Sequence, residues 1–152
     1  YLGGGGGDYA FGIAVDGGGN VYVTGATRDP AFPLAGTPFQ SLYGPHRDVG
    51  EYKYEGSGYL AVIAADFKSL LYSTFIGKEC SMRDRNAFGA FHASAWAPDG
   101  SLIAAGSWHS AGFPTRNAFQ AAYAGGPIDP PWAASDSVLC RFAARPSGLS
   151  HR

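Results

Sequence analysis

The stretch VDGGGNVYVTG, residues 15–25, sets three glycines between an aspartate and an asparagine and follows them with an alternating apolar run. Three readings compete for it. A phosphate-cradling loop needs a Lys-Ser or Lys-Thr pair after the glycines and a helix beyond them. Val21-Tyr22-Val23 stands there instead and has the character of a strand. A calcium loop of the EF-hand kind needs several oxygen ligands at alternate positions and a distant glutamate. Only Asp16 and Asn20 offer side-chain oxygens within the loop. A hairpin bend needs residues that enter the φ > 0 region at low cost, and Gly, Asn and Asp do so. The stretch therefore predicts two antiparallel strands joined by a tight turn.

The pattern around it occurs twice. VYVTGATRDPAFPLAGTPFQSLYG (21–44) lines up with LIAAGSWHSAGFPTRNAFQAAYAG (102–125). Gly25 matches Gly106, Phe32-Pro33 matches Phe113-Pro114, Phe39-Gln40 matches Phe119-Gln120, and Tyr43 matches Tyr123. The offset is 81 residues and falls to 80 after a one-residue deletion; downstream, YLAVIAADF (59–67) aligns with DSVLCRFAA (136–144) at an offset of 77. DGGGN in the first copy corresponds to APDGS in the second, where Ala97 and Ser101 replace Asp16 and Asn20. The chain reads as two diverged units, 1–77 and 78–152, with insertions at 45–57 in the first and at 78–91 and 127–136 in the second.

Each unit offers four short strands. In the first they are GIAVD (12–16), NVYVTGAT (20–27), YLAVIAADF (59–67) and LLYSTFIG (70–77). In the second they are ASAWA (93–97), SLIAAGS (101–107), SVLCRFA (137–143) and a weak end near GLSHR (148–152). No segment sustains a 3.6-residue apolar period, although TPFQSLYG and NAFQAAYAG could form short helical turns capped by Thr37 and Asn117. Tandem four-stranded antiparallel units predict an all-β fold of two β-propeller blades. Two blades close no ring, so the expectation is an incomplete propeller or part of a larger ring. Further blades of the same polypeptide, copies of this chain, or other subunits would cover the open faces. The first residue is Tyr1 rather than Met, which mature processing or a fragment of something longer would both explain; with two blades unable to close a ring, a fragment or subunit of a larger body is the expectation.

Composition agrees with this architecture. Apolar residues make up 45% of the 152, enough for a core and too many for global disorder. Charged residues are only 15%, while Gly (23) and Pro (10) are frequent, which suits short strands and many turns. The net charge of −1 without a basic run excludes the electrostatic footprint of a nucleic-acid surface. No apolar run is long enough to code a transmembrane helix.

The segments YLGGGGGDYAFGIAVDGGGNVYVTGATRDPAFPLAGTPFQSLYG (1–44) and LLYSTFIG (70–77) resemble the SBBP family of bacterial β-propeller repeats. The resemblance is close over most of 1–77. It is looser in the second unit, which keeps GFPTRNAFQAAYAGG (112–126) but carries KECSMRDRNAFGAFH (78–92) where the family has a glycine-rich start. The resemblance implies a propeller blade, usually in exported or surface-associated bacterial proteins. It implies no shared activity and hands on no catalytic residue.

Candidate chemistry is sparse. His46, His92, His109 and His151 form no zinc spacing, so no metal site is expected. Ser57 within EGSGY lacks the G-x-S-x-G elbow of a nucleophile. Asp48, Glu51, Glu55 and Asp66 are the carboxylates open to glycosidase-like pairing, and the first three read more simply as a solvated loop face. Cys80 and Cys140 leave a disulfide and two separate thiols both open; Cys140, aligned with Ile63, reads as a small buried hydrophobe. Aromatics reach 14%. Trp96 is expected in the core. Trp108, Trp132 and Tyr43, with His109, lie in the connections and are the candidate ligand-binding residues, against the plainer reading that they pack between blades. These readings favour a non-enzymatic interaction or scaffold module in a larger extracytoplasmic bacterial assembly, without cofactor. Its partners would be other subunits or further blades. A carbohydrate-binding, lectin-like propeller is the alternative, and a glycosidase or lyase with its site at the channel mouth ranks below it.

Overall fold

The computed structural model describes residues 1–43, 56–77, 89–109, 113–122 and 135–143. All regular structure among them is β, in two antiparallel sheets, and neither closes into a barrel. The first holds β1 (Asp8–Val15), β2 (Val21–Thr27), β3 (Ser57–Ile63) and β4 (Leu70–Ile76) in sequence order. The second holds β5 (Gly89–Trp96), β6 (Ser101–Trp108) and β7 (Asp136–Ala143), also in order. The expected fourth strand of the second unit, near 148–152, lies outside the described residues. So do most of the three insertions.

The opening stretch is a hairpin. Asp16 N donates to Asn20 O (3.1 Å) and Gly19 N donates to Asp16 O (3.0 Å). In the second sheet, Ala97 N donates to Ser101 O (2.8 Å) and Gly100 N to Ala97 O (3.0 Å), the same bend 81 residues on. Gly19 and Gly100 stand at φ +83° and +79°, where a side chain is strained. Asp16 fixes the first bend further. Its Oδ1 accepts from Gly18 N (2.8 Å) and Asn20 N (2.9 Å), and its Oδ2 from Asn20 Nδ2 (2.9 Å) and Tyr22 OH (3.1 Å). Both carboxylate oxygens are thus occupied by the loop's own donors.

The ladders repeat in detail. β1 and β2 slip register at a bulge between Ala10 and Gly12; β5 and β6 do the same between Phe91 and Ala93. Phe11 and His92 are the extra residues. Gly25 pairs with Tyr59 in one sheet and Gly106 with Val138 in the other. The downstream offset is therefore 79, not 77, and Cys140 corresponds to Ala61 rather than Ile63. A slip of two preserves which face a residue occupies, so the sequence alignment kept the facing and lost the register.

Other expectations shift too. Strand β3 stops at Ile63, and 64–69 turn instead of extending the strand, with Ala64 N bonded to Ser69 O (2.8 Å). The described parts of TPFQSLYG and NAFQAAYAG bend without forming helical turns, and Asn117 sits at φ 51°, which is no N-cap conformation. In the first unit this connection runs along the outer edge of β4. Ser73 N donates to Ala35 O and Phe75 N to Gln40 O, both at 3.1 Å. The edge strand is thereby blunted by the chain's own loop.

Two clusters form the core. One lies between the sheets: Ala14, Tyr22, Leu60, Val62, Tyr72 and Ile76 from the first meet Phe91, Leu102, Ala104, Trp108 and Phe142 from the second. The other lies on the far face of the first sheet, where Phe32 covers Tyr59, Ala61 and Phe75, with Leu34 and Tyr43 packed beside it. Strand β3 is buried on both faces, which explains its continuous apolar run YLAVI.

Candidate functional site

The packing between the sheets joins unlike faces. We call the face of each sheet that carries its Gly25 or Gly106 position face A, and the opposite face B. Face A of the first sheet carries Ile13, Val15, Val23, Tyr59 and Ala61; face B carries Ala14, Tyr22, Leu60 and Val62. In the second sheet, Phe91, Trp96, Leu102, Ala104, Val138, Cys140 and Phe142 lie on face A, while Ala93, Ala95, Ile103, Ala105, Leu139 and Arg141 lie on face B. The shared core joins face B of the first sheet to face A of the second. A two-fold arrangement would instead mate like faces.

Trp96 and Trp108 secure this interface. Trp96 packs on Tyr22 with ring centroids 4.8 Å apart. Trp108, only 3% exposed, packs on Phe91 (5.4 Å) and edge-on to Phe113 (4.6 Å). Its indole lies over Gly58 of the first sheet and Gly89 of its own. A Cβ on these glycines would come within 2.5 and 2.2 Å of it. Nearest the bulges, β1 and β5 approach closely: a Cβ on Gly12 would lie 2.8 Å from Ser94 N.

Outside the interface, each sheet presents an open face. Ile13 and Val15 on face A of the first sheet are 67% and 52% exposed. Ile103 and Leu139 on face B of the second are 37% and 74% exposed, whereas Tyr22 and Leu60, their counterparts in the first sheet, are 6% and 0% exposed.

A third surface runs along the bulged strands. Arg28 sits 5.8 Å from the Tyr9 ring, Tyr9 stacks with Phe11 at 6.1 Å, and Phe11 meets His92 at 5.7 Å. The exposed His92 shares a 2.8 Å hydrogen bond between its Nε2 and Ser107 Oγ. The glycine run before it is ordered by two carboxylates. Asp8 Oδ2 accepts from Gly4 N, and Asp29 accepts from Gly6 N and Ala31 N, each at 2.8 Å. Hydrogen bonds from the Ala31 and Gly6 backbone hold the Asp29 carboxyl below its ordinary range, against the opposing effect of burial.

Residues 1–28 match the SBBP family model, a beta-propeller repeat. No curated protein matched the chain. The SBBP match spans the glycine run, the bulged strand, the Asp16 bend and β2.

Of the candidate ligand-binding residues that are described, Trp108 belongs to the cluster between the sheets and Tyr43 to the cluster on the far face of the first sheet. Trp108 closes β6 instead of lying in a connection, and is buried in the interface. Tyr43 packs edge-on to Phe75 (5.5 Å) and reaches Thr27 O (3.4 Å). His109 follows β6 and is half-buried. Trp132, His46, His151 and Cys80 lie outside the described residues. Cys140 is half-buried on the interface face, and burial pushes its thiol up to about 12. Among the described residues no group of three His, Cys, Asp or Glu could hold a metal ion, and no helix is long and apolar enough to cross a membrane. Sequence reasoning missed the Arg28–Tyr9–Phe11–His92 row. Its one visible signal was that Phe11 and His92 stand 81 residues apart, the same interval as the paired glycines.

Proposed function

We propose that this chain is a non-enzymatic interaction module: two adjacent blades of a β-propeller that serve as a scaffold within a larger bacterial assembly outside the cytoplasm. The observation that carries the reading is the unlike-face packing of two repeated sheets. Repeating such a contact generates a ring or a filament, and every incomplete stack leaves one A face and one B face open. Ile13 and Val15 at one end and Ile103 and Leu139 at the other are those faces. The SBBP match over 1–28 supports the blade reading, and the resemblance to exported repeat proteins supports the location.

The experiment is dye binding to the folded chain. An environment-sensitive apolar dye should light up with the native protein at high dilution. Ile13→Asp and Leu139→Asp should each dim the signal while leaving the near-UV dichroism intact. A native chain that leaves the dye dark would refute the open-face reading.

A carbohydrate-binding reading keeps one specific support, the exposed aromatic row from Tyr9 to His92 flanked by Arg28. Titration of simple sugars against Phe11→Ala tests it. Saturable binding that the substitution abolishes would favour it over the scaffold reading.

A further inference from the structure

We infer that the two open faces fit each other, so that a second copy of this chain docks head to tail, face A of its first sheet on face B of this chain's second sheet. The inference rests on the module reading and names its partner. The template is the interface already inside the chain. There Trp96 on face A packs against Tyr22 on face B. The repeat counterparts of these two residues are Val15 and Ile103, each 81 positions away. Both are apolar and both are exposed, at 52% and 37%. In the same template Gly12 lies against Ala93 and Ser94, whose counterparts set Ala93 of one copy against Gly12 and Ile13 of the next. One operation, that which carries the first sheet onto the second, therefore brings apolar side chains together at both points.

The chemistry at these positions favours mating over exposure. The internal interface holds two buried hydroxyls without hydrogen-bond partners, Thr24 Oγ1 and Ser94 Oγ. Their outward counterparts are Ala105 and Ile13, so the external contact carries no such penalty. Among the described residues the charge on face B is Arg141, the cross-strand partner of Ile103, and it is held by Asp99 in the β5–β6 turn. The outer part of face A, over Tyr59 and Phe75, is already covered by Phe32, and the open part lies over β1. That is the strand whose counterpart, β5, makes the internal contact across β1, β2 and β3. Because the joined faces differ, the contact is heterologous and propagates until the ring closes.

Directed cross-linking tests this in a chain freed of native thiols by Cys80→Ser and Cys140→Ala. A chain with Val15→Cys, mixed with one carrying Ile103→Cys, should form a disulfide-linked heterodimer on mild oxidation, while each alone should form none. The chain with both substitutions should give a ladder of higher oligomers. Ile103→Asp in the native chain should weaken concentration-dependent association about tenfold or more by light scattering. Self-linking of the Ile103→Cys chain as fast as the mixture would overturn the head-to-tail geometry. A native chain that stays monomeric at every concentration would overturn self-docking altogether. If that monomer still binds the apolar dye, the module reading survives; if it leaves the dye dark, both readings fall.

Discussion

Alanine at Gly58 should change the sign of its effect when Trp108 is removed. Gly58 lies in β3 of the first sheet, and its Cβ position is 2.5 Å from Trp108 Cη2 of the second and 3.1 Å from Ile76 O. Forcing a methyl into that contact should cost about 1–3 kcal/mol. The intrinsic advantage of alanine over glycine in a strand returns roughly 0.5–1 kcal/mol, so Gly58→Ala alone should destabilise by up to about 2.5 kcal/mol. Trp108→Ala removes a nearly fully buried indole and should cost about 3–5 kcal/mol. In that background the clash is gone, only the Ile76 carbonyl crowds the methyl, and Gly58→Ala should be neutral or stabilise by up to about 0.5 kcal/mol. The coupling between the two sites is then about 1–2 kcal/mol. Equilibrium urea unfolding of the four chains, followed by far-UV dichroism because Trp108 is itself a fluorophore, measures it. Trp108→Phe serves if the alanine chain does not fold, since a single ring also withdraws from Gly58. Effects that add to within about 0.5 kcal/mol would refute the claim that this indole bolts the sheets together.

The first hairpin should contribute to both limbs of the pH–stability curve. Burial, then the Asp16 charge, pushes the Tyr22 hydroxyl up to about 12. Its stabilisation is complete below the unfolded value near pH 10 and lost as pH rises through the folded value, so Tyr22→Phe should flatten the alkaline fall in Tm. Burial works to raise the Asp16 carboxyl, but hydrogen bonds from Asn20, Gly18 and Tyr22 hold it below its ordinary value. That stabilisation is present above about pH 4 and lost as pH falls through the folded value, so Asp16→Asn should flatten the acid limb. Phe67 sits at φ 59° and is 71% exposed, so Phe67→Gly should raise stability by about 1 kcal/mol in urea titration, and Phe67→Val should not. In a Cys80→Ser chain the Cys140 thiol, raised by burial to about 12, should react slowly with a disulfide reagent in the folded protein and rapidly in urea.

The hairpin bend was legible because glycine and aspartate chemistry is local: the backbone geometry at Gly19 and Gly100 is set by the residues themselves. The central strand was legible because burial on both faces leaves an unbroken apolar run. The register of β7 was not, because insertions separate it from β6 and only ladder hydrogen bonds count the residues between. The fate of Trp108 was hidden for a related reason. Its position in the chain is next to a loop, but its burial depends on Gly58 in β3, Gly77 just past β4 and Gly89 in β5 making room.

By itself, then, the sequence determined that the chain is built from turn-rich β units and that one unit is written twice, since both follow from local propensity and self-similarity. Which face of each sheet turns inward was decided only in three dimensions. Val15 and Trp96 hold the same place in their units, yet one stands open and the other meets Tyr22. Among the described residues each sheet meets the other on one face only, and no local pattern records where that neighbour lies.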